Sequence, residues 1–272
     1  GYSTIRSDRK SCQRPALLSS IGDCPQFMIL RYFSVIGDSP MAFVVVVGAF
    51  VFTILVSLSF HEFSHAYVAD RLGDRTPRSL GRVTLNPRAH LDPIGSLMIL
   101  IIGFGWAKPV PINPYNTRNP QRSLAMIASA GPLSNLIMAG IAGIPIKAGL
   151  VPGLHPFVHP SVVPNLASVA TDSTGNMIGL FLGTIVLINI LLAIFNLLPL
   201  APLDGFNVAV GLLPRELSQP LERAAPWMPG ILMILILMPF LTNTSPLFTV
   251  MAPIINFFLT LFVGDSLPIR FG

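Results

Sequence analysis

Two histidines four residues apart with a glutamate between them, His61-Glu62-Phe63-Ser64-His65, follow directly on an almost uncharged apolar run from Met41 to Phe60. On a helix of about 3.6 residues per turn, positions i and i+4 lie one above the other, so both imidazoles reach a single point. That spacing suits Zn²⁺, with Glu62 beside the metal to take a proton from an attacking water. Zinc makes water a usable nucleophile near neutral pH. Imidazole and carboxylate groups are costly in a bilayer, so their presence beside an apolar span points to function. The expected chemistry is hydrolysis at membrane depth.

A catalytic zinc usually takes three protein ligands and leaves one position open, so a third His, Cys, Asp or Glu is needed at similar depth. His155 and His159 are also four apart, but Pro156 and Pro160 work against a helix there, and their loop carries no Lys or Arg. Asp172 shares that loop. Glu216 and Glu222 stand near Arg215 and Arg223 in a polar, solvated stretch. Cys12 and Cys24 fit no common zinc spacing; they could pair in an oxidising compartment or remain free thiols. Asp204 lies at the end of Asn196-Leu-Leu-Pro-Leu-Ala-Pro-Leu-Asp204-Gly205, among apolar residues and helix breakers. By turn statistics Asp-Gly is a turn. A lone carboxylate at membrane depth makes Asp204 the expected third ligand, for one Zn²⁺ per chain.

The elements that must hold these residues are apolar spans. Of 272 residues, 52% are hydrophobic and only 11% charged, where soluble domains carry about 25% charged residues. The chain reads as an all-α polytopic membrane protein whose partner is a lipid bilayer. Its net charge of +5 comes without a basic run or an aromatic–basic weave, so nucleic acid is not an expected partner. One long helix is expected over 42–69, further spans over 123–146 and 177–198, and a C-terminal helical hairpin over 231–263 broken by Thr242–Pro246. The stretch 94–106 is apolar but short of the roughly 20 residues a span needs, and reads as a re-entrant segment or a short tilted helix. Arg82–Leu85 and Pro109–Ile112 read as short β-strands flanking it, whose edges could pair with an extended peptide.

Charge sets the orientation. Eight of the 17 basic residues (Arg71, Arg75, Arg78, Arg82, Arg88, Lys108, Arg118 and Arg122) fall between the first span and Ser123, while 148–175 has none. By the positive-inside rule the first stretch, and with it the active site, faces the cytosol. A single crossing by the first helix then puts the basic segment 1–40 outside, unless that segment doubles back. The chain divides into an extension (1–40), a catalytic core (41–210) and a linker with hairpin (211–272).

These residues together resemble the site-2 protease family of intramembrane zinc metalloproteases. HEFSH after an apolar run and the Asn-x-x-Pro-x-x-Pro-Leu-Asp-Gly pattern ending at Asp204-Gly205 are similar to its two defining motifs. Asn86-Pro-Arg-Ala-His90-Leu-Asp92-Pro-Ile-Gly95, Gly105-Trp-Ala-Lys-Pro-Val-Pro-Ile-Asn113 and Gly131-Pro-Leu-Ser-Asn135 match further, in the family's order, over about residues 41–210. The resemblance implies a three-helix catalytic core with zinc on His61, His65 and Asp204, and Glu62 as the catalytic glutamate. It also implies that Asn135 helps bind substrate or steady the oxyanion, although an amide of this kind also serves helix packing. The implied activity is cleavage of transmembrane protein substrates at the cytosolic side, in a compact, core-only form without an inserted PDZ-like domain. His90 and Asp92 match without an evident role. Competing classes are a non-catalytic zinc scaffold, which would not need Glu62, and a metal transporter, which would spread ionisable groups over several helices. The same site could attack a phospholipid ester. The sequence leaves the oligomeric state open.

Overall fold

The structure is a computed structural model describing residues 40–102, 105–156, 163–242 and 244–264. The N-terminal extension, both cysteines, His159 and Arg270 lie outside the described residues. Among the described residues nine helices of eight or more residues carry the fold: α1 (Pro40–Leu72), α2 (Pro93–Ile102), α3 (Pro120–Lys147), α4 (Val163–Asp172), α5 (Thr174–Asn196), α6 (Asp204–Leu212), α7 (Arg215–Ala224), α8 (Met228–Thr242) and α9 (Pro246–Val263). Among the described residues, five helical stretches are long and apolar enough to cross a membrane: α1, α3, α5, α9 and the run 215–239 through α7 and α8. The chain is an integral membrane protein.

The ends of these helices follow from local chemistry. Leu72 closes α1 because Gly73 takes φ +113°, a left-handed value open to glycine. Gly73 N then donates to Asp70 O and Asp74 N to Ala69 O, the paired bonds that satisfy a helix C-terminus. Asn119 accepts from Arg122 N ahead of Pro120 and opens α3, and Ser173 accepts from Asn176 N and opens α5.

The bundle core is a three-helix contact of α1, α3 and α5, with α9 laid on its side. Ala139, Ala142 and Ile146 of α3 meet Val186, Leu187 and Ile190 of α5 and Met251, Ile255 and Leu259 of α9 in one buried cluster. Phe50, Ile54 and Leu58 of α1 form another with Ile99 of α2 and Ile188 of α5. By contrast α8 turns Ile231, Ile234, Leu237 and Leu241 outward, as a helix facing lipid does. The break between α8 and α9 falls at the expected Thr242–Pro246.

The expected strands do not form. Among the described residues there is no sheet, only one antiparallel bridge, Leu91 to Ala107. Pro109 and Pro111 lack the N–H that a ladder needs. At the other segment Gly81 makes a turn at φ +69° and Thr84 N bonds locally to Arg82 O, so 82–85 folds on itself. The short apolar stretch is the helix α2, about 15 Å long at 1.5 Å per residue, after which the chain returns beside its start. A Cβ on Gly105 would stand 2.1 Å from Gly95 O, so two glycines permit the return. Asp92 accepts from Gly95 N at 2.8 Å and caps α2, and His90, fully buried, pairs its Nε2 with Thr84 O at 2.7 Å. Both motif residues are structural.

Candidate metal centre

His61 and His65 project from the fourth and third turns before the end of α1 and are each 5% exposed. Three atoms converge: His61 Nε2 and His65 Nε2 are 3.1 Å apart, and Asp204 Oδ2 lies 3.1 Å from the first and 3.2 Å from the second. Tetrahedral zinc with bonds of about 2.0–2.1 Å holds neighbouring ligand atoms about 3.3 Å apart, so the triangle fits that ion closely. Hydrogen placement supports the same reading. His65 Nδ1 is 2.7 Å from Ile127 O, and a carbonyl only accepts, so Nδ1 carries the hydrogen and Nε2 offers a lone pair to the centre. Asp204 Oδ2 is buried without a hydrogen-bond partner among the described residues. Two ring nitrogens and a carboxylate oxygen converging on one point, with His65 Nε2 free of hydrogen, suit a cation.

Close packing of glycines produces this convergence. A Cβ on Gly131 would come within 2.4 Å of His65 Nε2 and 2.6 Å of His61 Cε1, so only glycine lets α3 approach both rings. Ile127, Gly131 and Asn135 form one stripe of α3 at four-residue spacing: a carbonyl for His65, room for both rings, an amide for His61. Asp204 is the first residue of α6, and not part of a turn as its Asp-Gly pair suggests. A Cβ on Gly205 would sit 2.2 Å from Leu197 O, so glycine lets α6 start against the end of α5. At its far end Gly211 packs on Ala125, and Gln121 Nε2 donates to Leu213 O at 2.9 Å. The carboxylate is fixed from both ends of a nine-residue helix.

The chain belongs to peptidase family M50. The description of that family matches residues 49–239, more than half of the chain. Among curated relatives, "Putative zinc metalloprotease YwhC" of Bacillus subtilis is 36% identical over 187 residues, 69% of this chain and 78% of that protein. "Putative zinc metalloprotease Rip2" of Mycolicibacterium smegmatis is 29% identical over 206 residues, 72% of this chain and 71% of that protein. Its Mycobacterium tuberculosis namesake is 38% identical over 101 residues, 34% of this chain and 38% of that protein. No solved structure matches.

In this M50 chain the triad borders a cavity of about 730 Å³. Glu62, half-buried, lines it beside His61, His65 and Asp204. Phe50, Ile54 and Leu58 of α1 form one side, Leu232, Leu235 and Ile236 of α8 another, and Gly105–Ala107 a third. Asn135 is elsewhere: fully buried behind His61, its Nδ2 is 3.2 Å from His61 Nδ1, and its Oδ1 is unpartnered. The amides that do line the cavity are Asn196 and Asn207. Sequence reasoning singled out neither as a site residue, although Asn196 opens the Asn-x-x-Pro pattern. His155 is buried at the opposite end of the bundle, away from the triad, and none of Asp172, Glu216 and Glu222 joins it.

Proposed function

We propose that this M50 chain is an intramembrane zinc endopeptidase that hydrolyses peptide bonds in or near transmembrane segments of other proteins, with its active site toward the cytosol. The observation carrying this reading is the His61–His65–Asp204 triangle at the edge of an apolar cavity between membrane-spanning helices. Zinc bound there by these residues would polarise the scissile carbonyl and favour attack by water at neutral pH. Glu62, one residue along from a ligand and facing the same cavity, takes the proton of the attacking water and delivers it to the leaving amine. Asn196, whose Nδ2 gives one hydrogen to Leu192 O at 2.9 Å, and Asn207 line the cavity and are the amides at hand for the charge that gathers on the carbonyl oxygen.

A helical substrate must unwind before its amides can be attacked. The wall at Ala107 supplies a template for the extended form. Lys108 N donates to His90 O at 2.8 Å, which makes Leu91 and Ala107 a pair whose own main-chain groups point away from each other. Ala107 thus presents one N–H and one C=O on its other side, where an extended peptide can add. This stands in place of the edges expected at Arg82–Leu85 and Pro109–Ile112.

Purified protein in lipid nanodiscs is assayed on a membrane-embedded reporter beside Glu62→Gln. Cleavage by the parent and its loss in the variant, at equal zinc content, are expected. An intact reporter with zinc-loaded parent, or equal cleavage by both, would overturn the assignment.

A further inference from the structure

Arg82 is 6% exposed, and among the described residues no carboxylate pairs with it. The neighbouring Arg78 has a two-pronged bond to Asp70, at 2.8 and 2.7 Å. Arg82 instead gathers backbone carbonyls: Nη1 donates to Ala89 O and, at 3.2 Å, to Lys108 O, and Nη2 donates to Pro109 O at 3.0 Å. A buried cation without a counter-charge is expensive, and its cost is offset here only by dipoles that it brings together. Those dipoles belong to two separated segments, the turn Pro87–His90 and the stretch that begins at the cavity wall. The planar fork reaches both at once, a geometry that a lysine ammonium on its flexible stem does not reproduce.

A second clamp stands at the far end of the same stretch. Asp74, fully buried directly after α1, accepts from Asn113 N at 2.7 Å, Asn116 Nδ2 at 2.8 Å and Thr76 Oγ1 at 2.6 Å. Burial works against its charge, but these donors prevail and hold its carboxyl below the ordinary carboxylate range. Asp74 thus ties 113–116 to the helix that carries both histidines, and Arg82 fixes the segment between that tie and the wall. Arg82 and Asp74 together thus hold the two motif segments that contain His90 and Asn113.

We propose that Arg82 is a positioning residue for the hydrolytic reaction: its carbonyl clamp holds Gly105–Val110 in the register where Ala107 can pair with substrate. The inference rests on the protease reading above. Its test compares the full zinc-loaded chain with Arg82→Lys and Arg82→Gln by hydrogen exchange, zinc content and reporter kinetics. Exchange over 105–112 rises roughly tenfold in both variants while 55–66 and zinc content stay as in the parent, and KM rises roughly fivefold to tenfold with kcat within about twofold. Unchanged exchange and KM would overturn it. So would exchange that rises equally across 55–66 with zinc lost, which marks Arg82 as general scaffolding. Should neither variant fold, the Glu62→Gln protein decides: added reporter slows exchange of 105–108, and no slowing refutes the wall. A parent that cleaves nothing defeats the protease reading, while exchange over 105–112 still reports whether Arg82 holds the segment.

Discussion

The two ends of this bundle use buried polar groups in opposite ways. At the end holding the triad, His61, His65, Asp74, Arg82 and His90 are all buried; His65, Asp74 and Arg82 have partners in distant segments, while His90 bonds the nearby Thr84 O through Nε2 and its Nδ1 has no partner among the described residues. At the other end the described part of the connection after α3 carries one buried imidazole, His155, whose Nδ1 has no partner among the described residues. There the chain is held by backbone packing instead. Cβ atoms on Gly179 and Gly183 would stand 2.2 Å from Pro152 O and 1.9 Å from Leu154 O. On the proposed function the contrast separates function from stability: the first end would be organised around a cation and a moving proton, the second around close approach of the chain. Substitutions at the first should remove activity from a folded protein, and those at the second should lower stability with the centre intact.

The strongest test of the first half is chemical. Glu62→Gln keeps shape and loses only the base, so turnover should fall by about 10³-fold or more while zinc stays near one per chain; general-base contributions of 10²–10⁴ set that scale. Asp204→Ala leaves two of three ligands and should lose most of its zinc in elemental analysis of purified protein. Full zinc in that variant would remove Asp204 from the centre. Gly131→Ala sharpens the comparison, because it adds one methyl group and removes no ligand. With ring atoms 2.4–2.7 Å from the new Cβ, α3 must move off α1, and zinc affinity should fall by at least tenfold. A variant with parental affinity would show that α3 does not set the ring positions.

How much of this was legible beforehand follows from range. The spacing of His61 and His65 is local, and apolar length marks the spans, so both are readable without tertiary structure. Asp204 was reachable because carboxylates at that depth are few. The cavity wall was not legible. A strand over 109–112 fails because Pro109 and Pro111 cannot donate, and the residues that shape the wall, Arg82 and Asp74, have the sequence signature of ordinary cytosolic charges. Only their burial, which depends on segments more than 25 positions away, reveals them. Asn135 was legible as a motif position but not in its geometry. If His61 Nε2 holds zinc, His61 Nδ1 carries hydrogen and needs an acceptor, so the amide turns its Oδ1, now unpartnered, toward the ring. Asn135→Asp keeps that acceptor and should hold zinc, whereas Asn135→Leu should weaken it roughly 10–100-fold, the usual range for a ligand's supporting partner. Asn135→Asp that keeps zinc but loses all turnover would restore the oxyanion role.

The smallest effect belongs to the opposite end. Burial pushes His155 down to about 4, from an ordinary value of 6.5. The unfolded chain therefore binds a proton that the folded chain refuses between those two values, and stability is full above pH 6.5 and drains away as the pH falls toward 4. The shift corresponds to on the order of 3 kcal/mol at most. Thermal midpoints in detergent should thus decline from pH 7 to pH 5 in the parent and decline less in His155→Phe. Zinc content of the two should match throughout at pH 7, since the substitution lies at the end of the bundle away from the triad. A midpoint that responds to pH identically in both proteins would show His155 solvated and protonatable in the fold. Loss of zinc in His155→Phe at pH 7 would join the two ends that the comparison keeps apart.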